Sequence, residues 1–543
     1  MLTPEYLLRI SEGAEEIAAQ LHESIINAVV ERITIRLGRG DDYILTAKDK
    51  WELEVLEEAG YLREDLQAEI AEKTKVQLKE IRKAFEDAGI TSTEYDDEIY
   101  KAAGLSPTPL KQSPHLIRLM QRAYEATQGE WLNYTRTTAD AAQHIFIQQC
   151  DKAYNLVSTG AMSYTEAVKN AVEAIAEEGV NVTYPSGHVD SIETATLRAV
   201  RTGVAQATAD ITLARMDEYE WDLILVDAHI GARLGDGGEN FTNHAWWQGK
   251  LYSRSGKDKR YPPFSVCNYG HVQGICGANC RHSFGPGNEG DEWETIDSEE
   301  NKKAYELSQR QRTLERRIRK TKRELQAAKT SIKNGDESTK AEMQKYYDRK
   351  AVLLQKQNTT YNDFCEENGL KRLQDRLHVA GWNRSQASAA SSAAKKKSKR
   401  KEARASEMFA VIPPPKGDSI QPRSVYNELG KSEIGKTTLD FIKNNSVPVE
   451  INYTSEYEPG VRGTTYGNAI YVSAQVTKSI KTTAKTIIHE AAHLQLNTKV
   501  NSQHEEAYCF AQEAKHDKAQ LTYSDLRNII KQVKYLYPEL KWR

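Results

Sequence analysis

At 543 residues, with 28% charged side chains and a formal net charge of -3, the chain exceeds one ordinary core and is no polyelectrolyte. Its six cysteines (Cys150, Cys267, Cys276, Cys280, Cys365 and Cys509) are too sparse for a disulfide scaffold, which favours synthesis in a reducing compartment. The opening MLTPEYLLRISEGAEEIAAQLHES places acids where an export signal needs an unbroken apolar run, and no stretch of about 18 apolar residues offers a membrane span. The expectation is a soluble protein made without an export signal.

Residues 1 to 215 read as one helix after another. EYLLRISEGAEEIAAQLHESIINAVVERITIRL spaces its apolar residues three and four apart, the pattern of a helix with one buried stripe. DLQAEIAEKTKVQLKEIRKAFEDAG, YTEAVKNAVEAIAEEG and SIETATLRAVRTGVAQATADITLARMDEYE continue it. At WDLILVDAH the period changes, and Trp221, Leu223 and Leu225 predict a short strand. Residues 216 to 295 form a small α+β region rich in Gly, aromatics, His and Cys.

Residues 296 to 385 predict a long helical hairpin. Leu307, Leu314, Ile318, Leu325, Ala328 and Ile332 recur at coiled-coil spacing, and KNGDES (333–338) supplies a turn. Between 302 and 329 lie eleven Lys or Arg against Glu306, Glu315 and Glu324. This is a solvated face first, and a surface for packaged DNA or another acidic partner second. Residues 386 to 422, with QASAASSAAKKKSKRKEARAS and then VIPPPKGDSIQPRS, read as a flexible, solvated tether. Residues 423 to 543 carry a strand-and-helix pattern of their own.

Within 227–290, Cys267, His271, Cys276, Cys280 and His282 are soft ligands in sixteen positions. Their spacing, C-x8-C-x3-C-x-H, matches no familiar zinc module. It favours a buried, hydrogen-bonded core packed by Trp246, Trp247 and Tyr252, with a structural metal as the alternative. The order DAHIGAR, NHAWWQGKLYS, CGANCRHSFGPG resembles the phage minor capsid protein 2 family, related to the Mu F-like head-morphogenesis proteins. The basic hairpin, DFCEENGLKRLQDRLHVAGWNR and TLRAVRTGVAQA are similar to it as well, so the resemblance covers roughly 1–385. It implies a minor head component associated with the portal, present in few copies, with no catalytic residues to carry over.

TIIHEAAHLQLN (486–497) raises a different chemistry. On a helix, residues i and i+4 share a face, so His489 and His493 point at one ion. Zinc suits neutral imidazoles, and Glu490 stands beside them without ligating, placed to take a proton from water and pass it to a leaving amine. A third ligand is needed. Glu506, which opens EAYCFAQEA, is the first candidate, with Glu505 and His504 as fallbacks.

NAIYVSAQVTKSIKTTAKTIIHEAAH followed by EEAYCFAQEA resembles the ImmA/IrrE-type metallopeptidases and the peptidase domain of ArdC-like antirestriction proteins, over about 445–516. The resemblance implies one Zn²⁺ held by His489, His493 and Glu506, with Glu490 as general base. No oxyanion stabiliser is evident; Tyr508 and His504 are the nearest guesses.

The expected fold is mostly α and multidomain, with a helical N-terminal half, a small α+β Cys/His-rich middle, a long helical hairpin and a C-terminal α+β zincin-like domain. The expected function is a phage minor capsid protein with a tethered zinc peptidase. Its expected partners are the portal and other capsid proteins, packaged DNA along the basic helices, and a host protein substrate. The protein is expected in the virion head, after synthesis in the bacterial cytoplasm, and to be injected into the host. A purely structural head protein, binding metal or a partner without catalysis, is the alternative.

Overall fold

A computed structural model describes the chain except residues 180, 185–186, 294–295, 413–419, 454–459, 497–501 and 543; the side chains of 129–136, 183, 400–406 and 412 are likewise not described. The chain divides into two compact units, Met1–Ala394 and Lys395–Arg543, and is mostly α-helical.

The first unit is built on α1 (Glu12–Leu37), α2 (Lys48–Ala102), α3 (Pro114–Ser158), α4 (Tyr164–Glu178) and α5 (Ile192–Glu218). The starts are written locally. Ser113 caps α3 ahead of a proline in its first turn, Ser163 and Glu166 close a capping box on α4, and Ser191 caps α5. Apolar periodicity then chooses the buried face: α1 turns Ala14, Ala18, Leu21, Ile25, Val29 and Ile33 inward. The 55-residue α2, about 80 Å long at the usual helical rise, buries Trp51, Val55, Ala59, Leu62, Leu66 and Ile70. Trp51 lies beneath the Arg36 guanidinium (4.3 Å) and packs against Tyr154 (5.6 Å), tying three helices at one point.

The strand predicted at WDLILVDAH is β1 (Leu223–Val226), the centre of an antiparallel sheet with β2 (Leu251–Ser253) and β3 (Phe284–Pro286) in the order β2-β1-β3. Leu223 stands opposite Ser253 and Ile224 opposite Pro286. Trp247 and Tyr252 are buried as expected, and Trp246 packs against the same core.

The hairpin forms as predicted: α6 (Ser298–Asn334) turns at Gly335 and Asp336 into α7 (Glu337–Glu367). Its expected standing as a separate domain is corrected, because its seam residues Ile318, Leu325 and Ala328 belong to the same core as α1 and α5. Polar ties reinforce the docking. The Thr34 hydroxyl donates to Ser331 Oγ (3.0 Å), Thr330 donates to Asn27 (2.7 Å), and Arg323 pairs with Glu23 (2.8 Å). Of the eleven basic residues, Lys302, Lys303, Arg310, Arg316, Arg317 and Lys329 are exposed. Arg319, Lys320, Lys322 and Arg323 have acceptors within the unit.

The second unit is a four-stranded mixed sheet with helices. β4 (Phe409–Ile412), β5 (Val449–Asn452) and β7 (Ala469–Ser473) run parallel, and β6 (Gly463–Tyr466) closes the edge antiparallel to β7, in the order β4-β5-β7-β6. The helices are α8 (Pro422–Leu429), α9 (Glu433–Asn444), α10 (Ile480–Leu496), α11 (Gln503–Ala514) and α12 (Tyr523–Leu536). Val449, Ile451, Ile470 and Val472 from the strands meet Val425, Leu429, Ile442, Ile487, Ile488 and Ala491 from the helices in one core.

The tether expected over 386–422 is corrected. Arg384–Met408 is helical, and its Ala, Lys, Arg and Glu are good helix formers although their low complexity reads as a solvated chain. Strand β4 follows at once, and the unit therefore starts well before residue 423; the proline run within 413–419 lies outside the described residues. Phe409 is 1% exposed in this core. Phe409→Ala is expected to cost the second unit about 3–5 kcal/mol, read as a lowered denaturation midpoint.

Candidate metal centre

Two helices converge on the histidine pair. α10 is amphipathic in an unusual sense: Ile487, Ile488 and Ala491 enter the apolar core, while His489 and His493 share the face turned to α11. α11 begins where the Ser502 hydroxyl accepts the Glu505 N–H (3.2 Å), a cap that fixes the register of all that follows. From that start Glu506, Cys509 and Glu513 recur at steps of three and four, one stripe along the helix, and all are buried.

The atoms that would hold an ion are already close. His489 Nε2 lies 3.2 Å from His493 Nε2, and the Glu506 carboxylate is 3.4 Å from the first and 3.5 Å from the second. Donors about 2.0–2.2 Å from a tetrahedral zinc stand roughly 3.3–3.5 Å apart, so these three mark three corners of such a polyhedron. Behind each imidazole sits another carboxylate. Glu505 is 3.3 Å from His493 Nδ1, and Glu513 is 3.6 Å from His489 Nδ1. A carboxylate on Nδ1 favours the tautomer whose bare Nε2 faces the shared centre. Tyr537 helps to lower the Glu506 pKa, and Phe510 packs its ring on His489 (4.6 Å). Buried Glu506 Oε2 and His489 Nδ1 both have no hydrogen-bond partner, and a cation at the shared centre would satisfy the first.

The electrostatics are those of a carboxylate-rich, water-poor pocket. Burial works against a charge on His489, yet Glu506 and Glu513 raise its pKa to about 9. Burial, with Glu506 and Glu513 adding to it, raises Glu490 to about 7. Burial also pushes the Cys509 thiol up, and its sulfur lies near both imidazoles. Lys485 (3.6 Å) and Arg462 (3.9 Å) balance Glu513 from outside.

His489, His493 and Glu506 come together, and Glu490 is buried one position along α10. A Cβ at Gly463 would stand 3.0 Å from Glu490 Oε1 and 2.5 Å from Thr486, so only glycine lets edge strand β6 approach that carboxylate. Glu505 backs His493 rather than replacing Glu506. His504 is exposed and faces Trp542 (5.7 Å), and Tyr508 is 41% exposed, so neither guessed oxyanion residue is drawn into the cluster. Glu513 and Tyr537 were missed. The step of seven from Glu506 to Glu513 was readable as one helical face; Tyr537 carried no local signal.

Comparisons with known proteins speak to the first unit. The phage minor capsid protein 2 family matches residues 2–362. A protein of Lactococcus phage LL-H, described as a structural protein, is 23% identical over 303 residues, which cover 51% of this chain and 77% of that one. No solved structure matches the chain. No helix among the described residues is long and apolar enough to cross a membrane. The candidate metal centre lies beyond the matched stretch, which itself spans well over half of the sequence: the chain belongs to the phage minor capsid protein 2 family.

Proposed function

We propose that this minor capsid protein carries a zinc-dependent peptidase in its second unit, associates with the portal in the phage head, and acts on a host protein after delivery. The observation that carries the enzymatic reading is the set of three donors 3.2–3.5 Å apart, His489, His493 and Glu506, beside a buried carboxylate that is not among them. A site built only for stability closes four protein ligands, whereas three leave one direction for a reacting group.

When bound there, zinc supplies a Lewis acid that acidifies water and polarises a peptide carbonyl. The chain's own residues do the rest. Glu505 holds His493 in the tautomer that offers Nε2, and Glu513 places a carboxylate 3.6 Å from His489 Nδ1. Glu490, pressed against Gly463, takes a proton from the attacking water and returns it to the leaving amine. Among the described residues, strand β6 is a sheet edge, and its outer side suits an extended peptide added as one more strand.

The alternative, a zinc site that only stabilises the unit or binds a partner, makes a different prediction for chelation. The purified chain is expected to hydrolyse unfolded protein substrate, to lose that activity with a zinc chelator, and to regain it with added Zn²⁺. A chain that binds zinc and cleaves nothing, in host extract or on denatured protein, supports the alternative.

A further inference from the structure

The loop between β2 and β3 winds tightly. Asn268, Cys276 and Asn279 all take left-handed backbone angles (φ 48°, 57° and 59°), a conformation that side chains other than glycine seldom adopt. What the loop encloses is a buried trio. Cys280 Sγ stands 3.7 Å from His244 Nδ1 and 3.6 Å from His282 Nδ1, and His244 and His282 are each 1% exposed.

The far side of each ring fixes where its proton lies. His244 Nε2 is 2.9 Å from the Gln273 carbonyl, and His282 Nε2 is 2.9 Å from Gln248 Oε1. Gln248 Oε1 also accepts the His229 N–H (3.1 Å), so the amide oxygen faces His282. Both acceptors need an N–H, which puts the protons on Nε2 and leaves both Nδ1 lone pairs aimed at one sulfur. A thiol has one hydrogen and can satisfy only one of them. The His282 N–H adds a donor to the same sulfur (3.4 Å), as suits a thiolate.

We infer that His244, Cys280 and His282 form a second metal site, taking one zinc ion in the capsid-family unit. An Nδ1 donor and a thiolate at bond lengths of about 2.0–2.1 and 2.3 Å stand roughly 3.5–3.6 Å apart across a tetrahedron, close to both nitrogen–sulfur separations here. Thiolate with imidazole is a donor set that suits zinc. On binding, the Cys280 S–H bond breaks, its proton leaves to solvent, and the sulfur electron pair forms the bond to the ion. The carbonyls on Nε2 act as the outer layer that orients ligating histidines. The remaining soft residues are spoken for. Cys276 donates to the His282 carbonyl (3.6 Å), Cys267 meets Tyr252, and His271 accepts the Gln273 N–H (3.1 Å). The ligand set therefore differs from the sequence grouping: His244 replaces Cys267, His271 and Cys276.

The test uses the full chain and is independent of the peptidase centre. His489→Ala/His493→Ala protein is expected to retain one zinc by mass spectrometry. Loaded with cobalt, it is expected to show the near-ultraviolet thiolate-to-cobalt absorption. Cys509→Ser added to that protein leaves the band, and Cys280→Ser removes it with the zinc. Because the double histidine variant keeps every residue of this site, the result does not depend on whether Cys280→Ser folds. Absence of both zinc and the thiolate band in that variant overturns the inference.

Discussion

Glu490→Gln is expected to keep its zinc and to lose peptide hydrolysis by about two to four orders of magnitude. The amide has the size of the carboxylate and fits the space beside Gly463, so the packing of α10 on β6 survives. The three proposed donors are untouched, hence the metal stays. What disappears is a group able to accept a proton. His493→Ala behaves differently, since it removes a donor 3.2 Å from His489 Nε2 and is expected to take metal and activity together. Metal content by mass spectrometry, read beside initial rates on an unfolded substrate, separates the two variants. Undiminished hydrolysis by Glu490→Gln would remove the general base from the account.

Arg323→Ala is expected to destabilise the first unit by about 3–5 kcal/mol, the usual cost of leaving buried charge without its partner. Arg323 reaches from α6 to Glu23 on α1 (2.8 Å) and to Glu193 on α5, and Glu193 also holds His22 at 2.8 Å. Burial opposes the Glu193 charge, but His22 and Arg323 hold its carboxyl well below the usual range. Without the guanidinium, Glu23 and Glu193 face each other across a nearly dry contact. Arg323→Met combined with Glu23→Gln and Glu193→Gln removes the charges together and is expected to recover most of the loss. Denaturant titration checks both. A change under about 0.5 kcal/mol for Arg323→Ala, the scale of an ordinary surface pair, would mean that the network does not pin the hairpin.

The long helices were legible because one face of each repeats at three and four residues, and the HExxH helix because two histidines at that spacing need no tertiary information to share a face. Periodicity could not tell that the hairpin docks on α1, since Thr34, Ser331, Asn27 and Thr330 make polar ties that no hydropathy pattern records. The stretch before β4 was misread through composition: low complexity suggested solvent, whereas Ala-rich sequence with Lys and Glu also makes helix. At the candidate metal centre the residues on α10 and the first turn of α11 were readable. Tyr537, which helps to lower the Glu506 pKa from beyond α12, was not. His244 escaped for the same reason: 36 positions from Cys280, it arrives there only through the fold of the loops around the β2-β1-β3 sheet.

The account rests most heavily on zinc held by the second unit, and one comparison tests it directly. Zinc per chain is measured for the full-length protein and for its His489→Ala/His493→Ala variant, purified side by side. A difference of one ion per chain is the predicted result. Equal zinc in the two proteins would contradict it.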